Sequence, residues 1–332
     1  MNDRPPPDPF EQRLAAIREE ATLTGAAQAP GVRPTGAPFP VADIAHGYYG
    51  TPLLKPPVWT WEVPAYFVVG GTAGAAAIIA AFASARGHET LARDARWIAA
   101  AGAALSPPLL ISDLGRHDRF LNMLRVFKLQ SPMSVGAWTL VAFSNAEAAA
   151  TFADVATRTL GHRTAVTLVR NAADVLAAAT GLVMASYTGV LLGATAIPVW
   201  ATNAAILPIH FAASSMATAA AALELSGHRS RPVHWLATAA ALVETVVGLA
   251  IEGRPDPALD PLKRGPGGRV VRAGGVLSGP VPLLLRVLGG RSMKVRRVAA
   301  ASAIFGSVVT RWGWLEAGRA SVRPDHPRSA PG

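Results

Sequence analysis

The sequence contains no cysteine. That excludes disulfides, and it excludes iron–sulfur clusters held by this chain's own thiolates. Charge is scarce as well: 16% of the residues are Asp, Glu, Lys or Arg, against about 25% in an ordinary soluble domain. Histidine is thin where haem would need it. Of eight histidines only His210 lies well inside an apolar run, whereas a membrane haem of the cytochrome b type needs two such ligands. No metal-ligating set is assigned, and any metal redox centre is expected on partner chains. The opening MNDRPPPDPF has no apolar core of the kind a cleavable signal carries.

What is abundant is apolar: 51% of the 332 residues, with mean hydropathy +0.30. These residues fall in runs of about 20, the length that spans a bilayer. The expected fold is therefore all-α, a polytopic integral membrane protein with eight transmembrane helices. The runs lie near 63–84, 97–112, 134–152, 172–192, 203–223, 233–251, 273–290 and 298–315. The seventh is the least regular, because Pro280, Pro282 and Arg286 interrupt it, and Arg286 is expected to snorkel from its end. Residues 1–57 are rich in Pro and Ala and read as disordered. Within them Phe10 to Thr22 has helical spacing, as a solvated helix or as a docking segment. Residues 58–317 form the transmembrane domain, and 318–332 a polar tail.

Net charge is +10 and the pI near 10.9. In a soluble chain this would suggest nucleic acid. Here the arginines sit at the ends of apolar runs, where anionic lipid headgroups account for them. Arg86, Arg93 and Arg96 are read as one loop, and Arg158, Arg163 and Arg170 as the next on that side. The compact loops favour termini outside the cytoplasm of a bacterial plasma membrane. Trp59 and Trp61, and later Trp312 and Trp314, are read as interface markers.

Antiparallel neighbours bring the start of span one, the end of span two, the start of span three and the end of span four to one membrane face. That face collects Trp59, Glu62, Tyr66, Asp113, Arg116, His117, Ser131, Ser134 and Tyr187. The segment between spans two and three carries Phe120, Leu121, Leu124 and Phe127 at helical spacing, opposite Arg119, Arg125 and Lys128. It reads as a short helix in the interface plane, with Arg116, Arg119, Arg125 and Lys128 available to dock a partner. Quinone chemistry moves two electrons and two protons, and it needs a proton-exchanging group beside an apolar slot. Glu62, Asp113 and His117 are candidates for protonation, and Trp59, Tyr66, Ser134 and Tyr187 for binding the ring. Deeper, Glu147 and Asp174 lie level with each other, about 20 Å from that face at 1.5 Å per residue. They could relay protons or be satisfied structurally. Glu244 is read as an isolated structural acid.

Three stretches, YYGTPLLKPPVWTWEVPAYFVVGGTAG (Tyr48 to Gly74), SDLGRHDRFLNMLRVFKLQSPMSVGAW (Ser112 to Trp138) and SYTGVLLGATAIPVW (Ser186 to Trp200), resemble the NrfD/PsrC family of polysulfide-reductase-type membrane subunits. The resemblance covers roughly residues 48–315. The chain departs from the family's DLGRPxRF pattern in having His117 where proline is usual, which adds a titratable group. The resemblance implies an eight-helix subunit without haem or cluster of its own, with a quinone site in its first four helices. It would take menaquinone or ubiquinone as substrate and dock a ferredoxin-like multi-cluster iron–sulfur subunit. That subunit would contact a molybdopterin catalytic subunit of polysulfide reductase or formate dehydrogenase type. Glu62, Tyr66, Asp113 and Tyr187 are the positions carried over. The function expected is a quinone-interacting membrane anchor of an oxidoreductase complex. The alternatives are a passive anchor and a proton-coupled secondary transporter.

Overall fold

The structure, a computed structural model, describes residues 56–161 and 163–322 together with Ala16 and Leu54. The Phe10–Thr22 segment, apart from Ala16, and nearly all of 1–57 lie outside the described residues. Among those described there is no β-strand. The helices of ten or more residues are α1 (Glu62–Ala85), α2 (Glu89–Ser112), α3 (Pro132–Leu160), α4 (Thr164–Gly193), α5 (Leu207–Leu225), α6 (Arg231–Gly253), α7 (Gly265–Ser278), α8 (Pro280–Gly289) and α9 (Met293–Ala320). Because α7 and α8 are two halves of one rod, these long helices make eight rods among the described residues.

Among the described residues four stretches are long and apolar enough to cross a membrane: Glu62–Ala85, Thr164–Gly193, Arg231–Gly253 and Gly267–Gly289. A fifth qualifies if α2 is counted with the 3₁₀ turn His117–Leu124, which bends 114° away from it. The turn occupies the place of the expected interfacial helix, in tighter form. The remaining rods owe their lower apolarity to polar groups that face inward, such as Asp154 in α3, Ser214 and Ser215 in α5, and Thr310 and Arg311 in α9.

The packing is inverted relative to a soluble protein. Alanine and glycine fill the interior, as at Ala75, Ala76, Ala92, Ala219 and Ala300, while Phe82, Leu182, Leu249 and Phe305 point outward. Lipid tails are as apolar as leucine, so helices associate through close approach of small residues rather than by burying large ones. One close crossing is α1 on α4. A Cβ on Gly74 would collide with the carbonyl of Gly181, and one on Gly181 with the carbonyl of Gly74.

Element ends follow local chemistry. Ser131 caps α3, its hydroxyl accepting from the Ser134 amide at 3.4 Å, with Pro132 in the first turn, where its missing N–H costs nothing. The break between α7 and α8 falls at Gly279 (φ −109°, ψ −85°). Pro280 cannot continue the hydrogen-bond ladder, and its ring would press on the carbonyl four residues back.

Several rods run past the expected limits, and the cause is charge. Arg96 was expected in a loop but is 1% exposed inside α2. α3 continues to Leu160 and carries Asp154 into the interior. Arg170 is buried in α4. Arg286 does not snorkel: it is 2% exposed and meets Glu224 at 2.7 Å. Trp314 is not at an interface but in the core, where its carbonyl accepts from Trp200 Nε1 at 2.9 Å.

Candidate functional site

The ends of α1 and α2 meet at Thr60. Its amide donates to Asp113 Oδ1 at 3.1 Å, and its hydroxyl lies 2.9 Å from the same oxygen. That hydroxyl also bonds the Glu62 carboxylate. A threonine hydroxyl carries one hydrogen, so it donates to one carboxylate at a time. The arrangement is two carboxyl groups sharing one hydroxyl at one end of the bundle. Glu62 stands in the first turn of α1, where an acid complements the helix dipole. Asp113 follows the last residue of α2.

Behind this pair lie the two tyrosines. Tyr66 is 1% exposed, its hydroxyl 4.0 Å from Met184 Sδ. Tyr187 reaches across to α3 and donates to the Pro132 carbonyl at 2.5 Å. Its ring lies against Gly136, where any side chain would overlap it. His117 sits with Nε2 3.2 Å from the Ser112 carbonyl at the end of α2. Glu62, Tyr66, Asp113, His117 and Tyr187 therefore gather around the ends of α1 to α4.

Two expected ring-binding residues are engaged elsewhere. Trp59 stacks on Trp200, with centroids 5.5 Å apart and planes at 13°, and meets Phe67 edge-on at 6.2 Å. Its carbonyl accepts from Arg319 of α9. The Ser134 hydroxyl is consumed in the loop: it accepts from the Lys128 amide at 3.0 Å and donates to the Val126 carbonyl at 3.2 Å. That ties down the segment bearing the cations expected to dock a partner. Of these, Arg116 pairs with Asp118 at 3.4 Å and Arg119 approaches it at 4.0 Å. Arg119, Arg125 and Lys128 are exposed, and so are Leu121, Phe127 and Leu129 beside them.

At the opposite ends of α2, α3 and α4 the level acids are found with a partner that sequence reading placed in a loop. Arg96 holds Asp174 with two of its nitrogens, Nε to Oδ1 at 3.0 Å and Nη2 to Oδ2 at 2.8 Å. It also meets Asp154 at 3.1 Å. Asp154 in turn is met by Arg158 at 3.0 Å and Arg170 at 3.9 Å. Glu147, 1% exposed, has Arg96 and Asp174 as charged neighbours and the Thr151 hydroxyl at 3.5 Å. Glu244 is not isolated either. His210 Nδ1 lies 3.1 Å from its Oε1, and Ser278 donates to its Oε2 at 2.8 Å. Buried Arg311 bonds the carbonyls of Phe67 and Phe211 and the hydroxyls of Ser214, Ser215 and Ser307, joining α1, α5 and α9.

The sequence model of the NrfD family, described as polysulphide reductase, NrfD, matches residues 52–248, more than half of the chain. The chain belongs to the NrfD family. Comparison with curated proteins gave no significant match. The family match takes in the Glu62–Thr60–Asp113 junction, both tyrosines and the Arg96 cluster, and it ends inside α6, so that α7, α8 and α9 lie beyond it. It makes the chain a helical membrane subunit of the polysulfide-reductase type. Among the described residues no three His, Asp or Glu side chains stand together as a metal site.

Proposed function

We propose that this chain is the quinone-interacting membrane subunit of a molybdopterin oxidoreductase complex. It would pass electrons between the quinone pool and an iron–sulfur partner, with eight rods crossing a bacterial plasma membrane. The observation that carries the reading is the junction of Glu62 and Asp113 at Thr60, beside Tyr66 and Tyr187. A quinone oxygen gains or loses a proton with each electron. In a site of low polarity an unneutralised oxygen is costly, so a carboxyl group must lie within reach. Two carboxyls on one hydroxyl can hold a proton between them and deliver it without moving a helix. His117, exposed at the end of α2, would exchange that proton with water.

Electrons would arrive from a multi-cluster iron–sulfur subunit docked on the Arg116–Lys128 segment. The exposed cations there suit an acidic partner surface, and the exposed Leu121, Phe127 and Leu129 add apolar area. Protons from the other side would pass by Glu147, because Asp174 is held on both oxygens by Arg96 and serves as a counter-ion. The test is quinol-linked turnover per assembled complex in Asp113→Asn. A fall with assembly intact supports the chemical role. Unchanged turnover would reduce the subunit to an anchor.

A further inference from the structure

We propose that the cleft between α6, α7 and α9 is a second quinone-class site, distinct from the junction at Thr60. Its ligand class rests on the quinone link proposed above. The cavity is about 290 Å³, near the lower end for small-molecule sites, about 300 Å³, and so sized for a ring headgroup rather than a whole lipid. Its walls are Leu249, Ile251, Leu262, Val271, Val276 and Trp314. Leu249 and Val276 are also exposed on the outer flank of the bundle, so the cleft opens sideways to lipid. From Glu252 at the mouth to Glu244 at the inner end is eight residues of α6, about 12 Å at 1.5 Å per residue.

The inner end holds a built polar pair. His210 and Glu244 both line the cavity and are 5% and 3% exposed. His210 Nδ1 and Glu244 Oε1 approach to 3.1 Å, yet neither makes a hydrogen bond of sound geometry. Ser278 satisfies only the other carboxylate oxygen. Buried polar atoms left this way need a third group. An anionic head would meet Glu244, and a cationic one would have to cross apolar walls from water. A neutral ring bearing a carbonyl or hydroxyl oxygen meets neither obstacle. It would lie along Trp314, take its hydrogen bond from the His210–Glu244 pair, and send its prenyl tail out between Leu249 and Val276. The Glu252–Arg272 ion pair bridges α6 and α7 at the mouth.

Two glycines make the space. A Cβ on Gly248 or Gly275 meets nothing within 4 Å, and both sit in helical backbone without positive φ. A leucine there would extend into the cavity from a Cβ position free of close neighbours. The experiment uses the full chain in phosphatidylcholine nanodiscs, an azidoquinone photoprobe and peptide mapping, with decylubiquinone as competitor. The expected result is label on α6 or α7 in addition to the α1–α4 face, removed by decylubiquinone. Gly275→Leu should lower only the α6/α7 label, by about tenfold or more, the change that 1.4 kcal/mol produces. Gly248→Leu should do the same. Label confined to α1–α4 would overturn the second site. So would α6/α7 label that persists in both variants, or that added phospholipid displaces and decylubiquinone does not. Label confined to α6/α7 would instead overturn the junction at Thr60 as the quinone site and leave this cleft standing.

Discussion

Two buried ion clusters lie at the end of the bundle opposite Thr60, and the charges at their centres are reversed. In the first half one arginine, Arg96, faces Asp154, Asp174 and Glu147. In the second half one acid, Glu224, 0% exposed, faces Arg286 at 2.7 Å and Arg296 at 2.7 Å, with His234 at 4.0 Å. Each cluster ties three rods through a single central residue: α2, α3 and α4 in one, α5, α8 and α9 in the other. A hydrogen bond from His228 to Asp94, 2.9 Å, links the two sides. In lipid no hydrophobic force sets how far one rod slides along another. A charge that finds its opposite at only one depth does set it, because breaking such a pair strands a charge in the interior. The halves thus share one device for register, built from opposite signs.

The largest effect is expected from removing the centre of the acidic cluster. Arg96→Met strands Asp174 and Glu147, while Asp154 keeps Arg158 and Arg170, and thermal unfolding in nanodiscs should show a loss of about 3–5 kcal/mol. Adding Asp174→Asn and Glu147→Gln to the same chain should recover much of that loss, since Asp154 keeps Arg158 and Arg170 and no acid is then left without a partner. If the triple variant is no better than the single, the cluster does not act as a unit. Glu224→Gln is the mirror test. It leaves Arg286 and Arg296 facing each other, but Arg296 also reaches the Arg229 carbonyl at 3.5 Å. The expected loss is somewhat smaller, about 2–4 kcal/mol, read by the same melt. Equal losses at both centres would mean that the backbone contact contributes nothing.

Glu62 and Asp113 belong to the opposite face and should behave differently. Neither is fully buried. Asp113→Asn should lower quinol-linked turnover by about 10²-fold, the scale of positioned proton transfer. Its stability should change by less than about 1 kcal/mol, as for other exposed polar contacts. Glu62→Gln should do the same to a smaller degree, because the Asp113 carboxyl still holds Thr60. A stability loss matching that of Arg96→Met would show that the junction is another register device.

What could be read beforehand was length, direction and depth. Apolar runs gave the rods, and their alternation brought Glu62 and Asp113 to one end, where Thr60 now joins them. Rotation about each helix axis could not be read, and ion pairing depends on it. Arg96 was assigned to a loop because apolarity falls off around it, yet it falls off because Arg96 is turned inward onto Asp174. Arg286 looked able to snorkel for want of a visible partner, and Glu224 lies on a rod distant in sequence. In the sequence His210 and Glu244 are 34 positions apart. Each stands as a lone polar group in an apolar run, and the signal available was that two such groups on consecutive rods are candidates for one another. The aromatic interface signal misled at Trp314, because an indole can also be held in the core by a large neighbour such as Trp200.

The smallest effect is the most discriminating for the tyrosines. Tyr187 has its hydroxyl on the Pro132 carbonyl, so in the absence of substrate its hydrogen is committed to the backbone at the start of α3. Tyr187→Phe removes one bond worth about 1 kcal/mol and leaves the ring against Gly136 undisturbed. If the hydroxyl only pins α3 to α4, the melt falls by that amount and turnover per assembled complex stays level. If it also turns to a quinone oxygen, the Michaelis constant for quinol rises while the melt changes no further. Tyr66→Phe supplies the contrast, since its hydroxyl has only the Met184 sulfur at 4.0 Å, a weak acceptor, and so gives up little stability on removal. A turnover defect in Tyr66→Phe without a matching loss in the melt would place that hydroxyl, rather than that of Tyr187, against the substrate.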